Sequence, residues 1–474
     1  MNRIDSIREI VLVTMVTGCV AIVPTVVHAQ YVWGPTTLLN DPFTLPTSFG
    51  TVVADPLDPN TVWAATSHLP DPLGPPEPAS GIFKSTDGGE TWTQMNDGNL
   101  TPDMNVLDIA IDPSDQNIVY AASNVHGVFK TTDGGESWTA KNDGILYKGL
   151  SFPEPQWGAN AIAIDPSDPN IVYVAVSNVN QIDIEAGAGD HPGFFKSTDG
   201  GESWSERNNG LPPRYDPFEL FDLTSHTVSV SDILVLPQMP NVVVIGVLDI
   251  EANAELLFGL TAHCKGRIFY SPNRAEGNWI ERSVGLPSIS QAQGSGGVTR
   301  VCGSIMLLSA AETGPPAVYA SHTGLGMLIT LNDAFLKSKS KGVYKWGGGT
   351  WTRKSNGLPV VTDEYNDEAT NSCAVAVAPV NPSILLVGIS ASDAGDPLSD
   401  RSKVYASRNG GDNWTKNWDQ GMSVSPHGYT EANVLFLDIN AAQTKAFASV
   451  TWNNVEGTAG IEDNGIWRLP PLRF

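Results

Sequence analysis

A short unit built around Asp-Gly-Gly occurs three times, almost unchanged, in the first half of the chain. Residues Gly81–Leu100 read GIFKSTDGGETWTQMNDGNL, and Gly127–Leu146 read GVFKTTDGGESWTAKNDGIL. The third copy opens at Gly193 with GFFKSTDGGESW and closes with NGLP, which ends at Pro212. A unit that recurs in this way is one supersecondary element that buries its apolar face against its neighbours. We therefore expect a repeat architecture.

Each copy reads as a β-hairpin. The apolar run GIFKS and the run TWTQ flank Asp-Gly-Gly, and the glycines supply the positive φ angles that a tight turn needs. The aspartate of each copy is placed to accept the backbone N–H groups of its own turn, and the tryptophan can bury its ring beneath the turn. These structural residues are Asp87, Trp92, Asp133, Trp138, Asp199 and Trp204. We interpret the aspartates as structural and not catalytic, because an element repeated around a ring cannot all be active site.

Three further units follow in weaker form, marked by Trp279, Trp351 and Trp414. The first has Asn273 in place of the aspartate, and the last has Asn409. The middle one keeps three glycines, 347–349, but has lost the acid. We expect the glycines to preserve the conformation of these turns, although the hydrogen bonds made by their side chains change.

A seventh unit has only three predicted strands, Asn433–Ile439, Lys445–Thr451 and Gly465–Leu469. A short strand at Tyr31–Gly34, which carries Trp33, supplies the missing fourth strand. The sequence therefore predicts an all-β protein, a seven-bladed β-propeller with four-stranded antiparallel blades, closed by the N-terminal strand. Such closure leaves no open sheet edge.

The pattern S/T-x-D-G-G-x-x-W resembles the Asp-box (BNR) repeat of sialidases, xyloglucanases, sortilin-type receptors and a photosystem II assembly propeller. The resemblance covers most of the chain and implies the same fold, but these families have unrelated functions. The arginine triad of sialidases is not found, and the place of the xyloglucanase catalytic acid reads Ala65-Thr66-Ser67-His68, without the acid. The resemblance therefore implies a fold and leaves the activity open.

Residues 1–29 read as a secretory signal peptide, with an apolar stretch from Ile10 to Val27 and cleavage after Ala29. An alternative is a lipoprotein cleavage box that ends at Cys19, and a third is a retained membrane anchor. Residues 30–474 are then one propeller domain, secreted or periplasmic. Because the formal net charge is −24, nucleic acids and anionic membranes are not expected partners. We expect a monomer that binds an extracellular glycan or an envelope protein.

Three cysteines follow the signal segment, so at most one disulfide forms within the chain. The meander topology places Cys264 and Cys302 in adjacent blades at the same face, and we predict that they form a disulfide. Pairing of Cys302 with Cys373 is the alternative. Export would permit either bond.

In a four-stranded meander, the 1–2 and 3–4 connections lie on one face, here called the turn face. The 2–3 and 4–1 connections lie on the other face, the loop face, and in this chain they are long and variable, as binding loops commonly are. The histidines after residue 29 are all expected in these loops, and imidazoles are common metal ligands. The candidate metal ligands are His68, His126, His191, His226, His263, His322 and His427. Solvated loop histidines are the alternative, since no local metal motif is present.

Acidic and aromatic residues are concentrated in the same loops. Paired carboxylates can serve as acid and base or nucleophile on a glycosidic bond, and aromatic rings can stack on sugars. The candidate catalytic residues are Asp183, Glu185, Asp216, Glu219, Asp363 and Glu364. The candidate ligand-binding residues are Trp157, Tyr215, Phe218, Tyr365, Tyr429 and Trp452. Solvated acidic loops and a calcium site are alternatives.

These features lead to three hypotheses. The first is an exported propeller that binds a glycan or other extracellular ligand on its loop face, with glycoside hydrolase activity left open. The second is a noncatalytic scaffold of the cell envelope, and the third is an enzyme that depends on a transition metal held by the loop-face histidines.

Overall fold

The computed structural model describes residues 34–39, 48–67, 81–95, 106–123, 126–145, 158–177, 193–212, 224–253, 262–286, 304–313, 316–323, 342–359, 361–362, 368–369, 372–389, 404–415, 431–440, 442, 445–453 and 465–469. Within these ranges the chain contains no helix, and so none long and apolar enough to cross a membrane. The predicted signal segment and Tyr31–Trp33 lie outside them.

Seven antiparallel sheets follow one another along the chain, and each is one blade. Blade 1 consists of β2 (Ser48–Ala54), β3 (Val62–Ser67), β4 (Ile82–Ser85) and β5 (Thr93–Gln94). Blade 2 consists of β6 (Val106–Ile111), β7 (Val119–Ser123), β8 (Gly127–Thr131) and β9 (Thr139–Ala140). Blade 3 consists of β10 (Gly158–Ile164), β11 (Val172–Ser177), β12 (Gly193–Ser197) and β13 (Ser205–Glu206). Blade 4 consists of β14 (Thr224–Val235), β15 (Val243–Asn253), β16 (Ala262–Ser271) and β17 (Ile280–Glu281). Blade 5 consists of β18 (Ser304–Ala310), β19 (Val318–Thr323), β20 (Gly342–Gly347) and β21 (Thr350–Arg353).

A small hairpin, β22 (Val361–Thr362) with β23 (Glu368–Ala369), precedes blade 6. Blade 6 has three strands, β24 (Ser372–Val377), β25 (Leu385–Ile389) and β26 (Val404–Ser407), and a single bridge from Ala406 to Thr415 in place of the fourth. Blade 7 consists of β27 (Glu431–Ile439), β28 (Ala446–Asn453), β29 (Gly465–Leu469) and β1 (Gly34–Leu39).

The ring is closed by the first strand of the chain, as predicted. Strand β1 pairs antiparallel with β29, so that the N-terminal strand is the outer strand of the last blade. It begins at Gly34, just after the segment that the sequence suggested. The first strand of each blade contacts the first strand of the next, and β27 contacts β2. The seven-bladed propeller is therefore confirmed, with the first strands at its centre.

The hydrophobic core lies between neighbouring blades. In one cluster, Tyr120 and Val128 of blade 2 pack with Ile162, Val174 and Phe195 of blade 3, and all five side chains are buried. The alternating apolar pattern of the strands places these residues on the faces that adjacent blades present to each other. Each blade is consequently stabilised by both of its neighbours.

The Asp-Gly-Gly turns are held by their own side chains. In blade 2 the Asp133 carboxylate accepts hydrogen bonds from the Thr131 hydroxyl (2.7 Å) and from the backbone N–H of Ser137 (2.9 Å). The Thr131 hydroxyl in turn accepts one from the N–H of Gly135 (3.0 Å). In blade 6, Asn409 replaces the aspartate and still accepts the N–H of Asn413 at 2.9 Å. Asparagine thus preserves the acceptor that the turn needs.

The tryptophan of each unit ties its blade to the preceding one. The indole Nε1 of Trp138 donates to the carbonyl oxygen of Met95 in blade 1 at 2.9 Å, and that of Trp204 donates to Lys141 in blade 2 at 2.9 Å. Trp279, Trp351 and Trp414 donate in the same way to residues of the blades before them. The tryptophan of each unit was expected only to bury its ring beneath its own turn. It therefore also forms a hydrogen bond between blades.

Cationic side chains make the reverse contact, from the third strand of a blade to the turn of the next. The Lys84 Nζ donates to the carbonyl oxygen of Gly134 at 3.0 Å, and the Lys130 Nζ donates to that of Gly200 at 2.7 Å. At the closing seam the guanidinium of Arg468 in β29 donates to the carbonyl oxygen of Gly88 at 3.1 Å. In these contacts the polar groups of the turn face hold neighbouring blades together.

Gly144 should tolerate alanine far less well than Gly349. Both have left-handed φ angles, +86° and +89°, so alanine brings a backbone strain of about 1–2 kcal/mol at either position. A Cβ on Gly144 would also overlap the carbonyl oxygen of Trp204, whereas among the described residues nothing lies within 4 Å of one on Gly349. We expect Gly144→Ala to lower the free energy of unfolding by about 1–3 kcal/mol more than Gly349→Ala. Guanidinium unfolding of both variants measures this difference; equal losses would contradict the close approach of the two blades.

Candidate functional site

The turn face is a network of mutually bonded turns. In blade 1 the N–H of Gly88, in the 3–4 turn, donates to the carbonyl oxygen of Asn60, in the 1–2 turn, at 2.7 Å. Blades 2 and 3 repeat this bond from Gly134 to Asn117 (3.0 Å) and from Gly200 (2.9 Å) to the corresponding asparagine. The backbone groups and box carboxylates of this face are therefore used in bonds that hold the turns to one another.

Blade 4 carries a different 3–4 turn. Arg274 and Ala275 replace the two glycines and keep positive φ angles of 57° and 61°. The Arg274 guanidinium reaches back to blade 3, where its Nε lies 3.0 Å from a carboxylate oxygen of the fully buried Asp165. Its Nη2 donates to the Ser167 hydroxyl at 2.6 Å. The unfavourable backbone conformation is thereby offset by an ion pair between blades.

The loop face is distinguished by the extension of blade 4. Strands β14, β15 and β16 have 12, 11 and 10 residues, and they remain paired as far as Ala252 and Ala262. The strands of blade 3 have at most 7 residues. Since the additional residues lie at the loop-face ends, the sheet of blade 4 continues beyond the ring on that side. The sequence reading had assigned much of this segment to loops.

A buried ion pair supports this extension. The Arg267 guanidinium donates to the Asp249 carboxylate at 2.8 Å and also pairs with Glu281 of β17. Asp249 is 7% exposed, and Arg267 lies over the Phe269 ring at 5.0 Å. The two carboxylates raise the pKa of Arg267 further, chiefly through the hydrogen bonds that its guanidinium donates to Glu281. Its charge is therefore compensated within blade 4.

The histidines occupy varied positions. His226, His263 and His322 lie within strands β14, β16 and β19, near their loop-face ends, and not in loops as the sequence suggested. His322 is fully buried, and His126 lies in the turn just before β8. His68, His191 and His427 lie outside the described residues. In the part of the chain that the structure describes, no group of three or more His, Cys, Asp or Glu residues is placed to hold a metal ion.

Most of the other candidates are also outside the described residues. These are the six candidate catalytic carboxylates and five of the six candidate aromatic residues. The sixth, Trp452, lies in β28 opposite Ala432. The β22–β23 hairpin pairs Thr362 with Glu368. Asp363, Glu364 and Tyr365 follow Thr362 in the sequence and are among the residues outside the described ranges. Cys264 lies in β16 and Cys373 in β24, whereas Cys302 is outside these ranges, so the disulfide remains a prediction.

Three aspartates on the innermost strands were missed by sequence reasoning. Asp108 accepts the backbone N–H of Ile162 in the next blade at 2.9 Å, and Asp232 accepts that of Leu308 at 2.6 Å. Asp438 accepts that of Ala54 at 2.7 Å, across the closing seam. Each carboxylate thus satisfies an N–H on the free edge of the neighbouring first strand. The available signal was an acid inside an otherwise apolar run, as in VLDIAI.

The environment of these aspartates shifts their titration. Burial, the dominant effect, raises the pKa of Asp108 to about 8, and the charge of Asp232 raises it further, against the hydrogen bond from Ile162. Burial also raises the pKa of Asp232 and of Asp438 to about 7. Such values are typical of carboxyls withdrawn from water. Because the carboxylates of these three aspartates already accept hydrogen bonds from backbone N–H groups, we assign the residues a structural role.

The comparisons with known proteins agree on the fold. No protein-family model matches the chain, and no curated protein matches it. Among solved structures, it is similar to the GH74 xyloglucanase from Xanthomonas campestris, with a TM-score of 0.51 and 14% identity over 92% of this chain and 55% of the xyloglucanase. It therefore spans about half of that enzyme's length.

Two other solved structures cover nearly whole chains. U3-55K has a TM-score of 0.50 and 11% identity, over 93% of this chain and 100% of its own. The RRP9 WD40 repeats have a TM-score of 0.49 and 12% identity, over 92% and 99% respectively. At such identities the likeness to the xyloglucanase and to U3-55K shows the fold alone.

Proposed function

We propose that this chain is an exported Asp-box propeller that binds a neutral glycan on its loop face. The difference between the two faces is the observation that carries the proposal. Turn-face polar groups are used in bonds within and between blades, as the contacts of Lys84, Lys130 and Arg274 illustrate. The strands of blade 4 extend at the loop face, and the β22–β23 hairpin belongs to a 4–1 connection, which is also on that face. Rigid rings with elaborated loops commonly bind ligands through those loops.

The chemistry of the loop-face sequences favours a sugar ligand. Between β22 and β23 the sequence reads Asp363-Glu364-Tyr365-Asn366-Asp367, a tyrosine with acids on both sides, and Trp452 lies at the loop-face end of β28. Aromatic rings offer flat apolar surfaces to sugar rings, while carboxylates accept hydrogen bonds from hydroxyl groups. A strongly acidic chain disfavours an anionic ligand, which is why we propose a neutral glycan. Binding of a glycan is also consistent with the ligand class in the xyloglucanase's name.

Affinity electrophoresis against a panel of soluble neutral polysaccharides tests this proposal. We expect at least one polysaccharide to retard the wild-type protein. Tyr365→Ala and Trp452→Ala should each weaken binding by about tenfold, because one aromatic contact contributes about 1 kcal/mol or slightly more. Leu57→Ala and Val380→Ala, at exposed apolar positions of the 1–2 turns, are matched controls and should bind normally.

Two results would contradict the proposal: no retardation of the wild-type protein by any polysaccharide, or weaker binding in the turn-face variants alone. Release of reducing ends from a retarding polysaccharide, abolished by Glu364→Gln, would extend the proposal to hydrolysis.

A further inference from the structure

At three places in the ring, the cation that directly follows the fourth strand of one blade pairs with an acid in the 3–4 turn of the next blade. The distances between the side-chain nitrogen and the carboxylate oxygen are 2.6, 3.5 and 2.5 Å in the pairs Lys141–Glu202, Arg207–Glu276 and Lys354–Asp412. The repeat therefore contains a recurring ion pair between neighbouring blades, and the three pairs serve as internal references for the other blades.

Between blades 4 and 5 the cation of this pair is present and the acid is missing. Arg282 directly follows β17, as Lys354 directly follows β21. In the 3–4 turn of blade 5, Gly349 stands two residues before the tryptophan, where blades 3 and 6 have an acid. The two blades nevertheless meet in the usual way, because the Trp351 Nε1 donates to the carbonyl oxygen of Arg282 at 2.6 Å. The guanidinium thus lies beside a turn that cannot neutralise it.

The half-buried Arg282 side chain is held in place by neutral groups of its own blade. Its Nη1 donates to the backbone carbonyl oxygen of Glu281 at 3.1 Å, and its Nη2 donates to the Tyr270 hydroxyl at 3.3 Å. The guanidinium also lies over the Tyr270 ring, 4.8 Å from its centroid. Within the described part of the chain no carboxylate pairs with Arg282, and three of its five N–H donors accordingly stay available to a ligand.

The space beside the turn of blade 5 is open, and apolar side chains border it. A Cβ on Gly349 would meet no described atom within 4 Å, whereas one on Gly411, in the turn of blade 6, would lie 3.2 Å from the Lys354 side chain. Tyr270 and Trp346 are partly buried and pack against the core between blades 4 and 5. This opening between the two blades, bordered by Arg282, Tyr270, Trp346 and the glycine turn, is here called the notch.

We propose that the notch binds a carboxylate group supplied from outside the chain. A guanidinium binds a carboxylate through two parallel N–H···O bonds, and its stacking on Tyr270 fixes its plane. The equivalent carboxylates elsewhere in the ring belong to Glu and Asp side chains, which favours an acidic side chain of a partner polypeptide over a free carboxylate. This inference rests on the contacts between blades and does not depend on the proposed glycan binding.

Ligand-observed NMR titration of the full chain with two capped pentapeptides tests the notch. One peptide, Gly-Gly-Glu-Ser-Trp, copies Gly200–Trp204 of blade 3, and the other has Gln in place of Glu. We expect the wild-type protein to bind the Glu peptide about fivefold more tightly, as one partly exposed ion pair allows. Arg282→Gln should abolish this preference. Lys354→Gln, at the equivalent position of blade 5, is the matched control and should retain it.

Competition with acetate identifies the source of the carboxylate. Displacement of the Glu peptide by an equal concentration of acetate would identify a free carboxylate as the ligand. Displacement only by a large excess would identify an acidic side chain within a polypeptide. Both results require the preference for the Glu peptide and its dependence on Arg282.

A conservative variant and a salt series keep the test decisive if Arg282→Gln fails to fold, which circular dichroism would reveal. Arg282→Lys keeps the charge but cannot form the two parallel bonds, so the preference for the Glu peptide should fall and not vanish. In the wild-type protein the preference should also weaken as the salt concentration rises. Equal binding of the two peptides to the wild type, an unchanged preference in Arg282→Gln, or loss in Lys354→Gln alone would overturn the proposal.

Discussion

Replacing Trp138 by alanine is expected to lower the free energy of unfolding by about 3–5 kcal/mol, the usual range for a large buried aromatic side chain. Trp138 is 1% exposed and packs edge-on against Trp63 of the preceding blade, with ring centroids 6.2 Å apart. Its removal opens a cavity between two blades and leaves the carbonyl oxygen of Met95 without its indole donor. Guanidinium unfolding, followed by tryptophan fluorescence and circular dichroism, measures the loss.

Phenylalanine variants at two equivalent positions separate the hydrogen bond from the packing. Trp138→Phe removes the bond to Met95, whereas the indole nitrogen of Trp92 in blade 1 has no acceptor among the described residues. We expect Trp138→Phe to lose about 1 kcal/mol more than Trp92→Phe. A loss of less than 1 kcal/mol in Trp138→Ala would show that the blades do not depend on this contact.

Stability should be highest near pH 4 and should fall as the pH rises to about 8. Burial raises the pKa of Asp108 to about 8, and the pKa values of Asp232 and Asp438 to about 7, while an aspartate in the unfolded chain titrates at about 3.9. Between these values the unfolded chain has released protons that the folded chain retains, so a rise in pH favours unfolding. Each unit of pKa difference at one group corresponds to about 1.4 kcal/mol, so the loss of stability between about pH 4 and pH 8 should be clear in unfolding measurements.

The acid side of the profile has a different origin. The Ser137 and Thr131 hydroxyls hold the pKa of Asp133 at about 2, so its contribution is present above about pH 4 and is lost as the pH falls through 2. Unfolding measured between pH 2 and 9 should therefore show a flatter alkaline limb in the double variant Asp232→Asn/Asp438→Asn. Asp133→Asn should flatten only the acid limb, and Asn409 shows that the turn accepts asparagine. An unchanged alkaline limb in the double variant would contradict the role of burial.

The parts of the fold that were predictable are those fixed by local chemistry. Asp133, Gly135 and the hydroxyl of Thr131 lie within a few residues of one another, so their turn can be inferred from the sequence. The closing strand could be inferred because the last unit lacked one strand. The acceptor of the Trp138 indole N–H could not be inferred in this way. The acceptor residue, Met95, is 43 residues away and is brought near only by the curvature of the ring.

The candidate site was less predictable for a related reason. Segments rich in Ala, Asp and Glu around residues 249–263 lack the alternation of a half-buried strand, and their pairing comes from the ladder already begun at the ring. The alignment of His226 with His263 depends on the register of two ladders, and the first of these is shifted by an irregularity between Val230 and Asp232 that the sequence does not announce. Asp108 and Asp438 likewise acquire their partners only once neighbouring blades are in place.

Closure by β1 also has a consequence for the order of events during synthesis. The bond between Ala54 and Asp438 joins residues 384 positions apart, and β1 finds its partner only when β29 has left the ribosome. Until then the early blades form an open arc whose first blade lacks a neighbour, and the cost in chain entropy of joining the ends is met in one late step. The blades can thus fold in turn, whereas the ring becomes complete only after β29 has been synthesised.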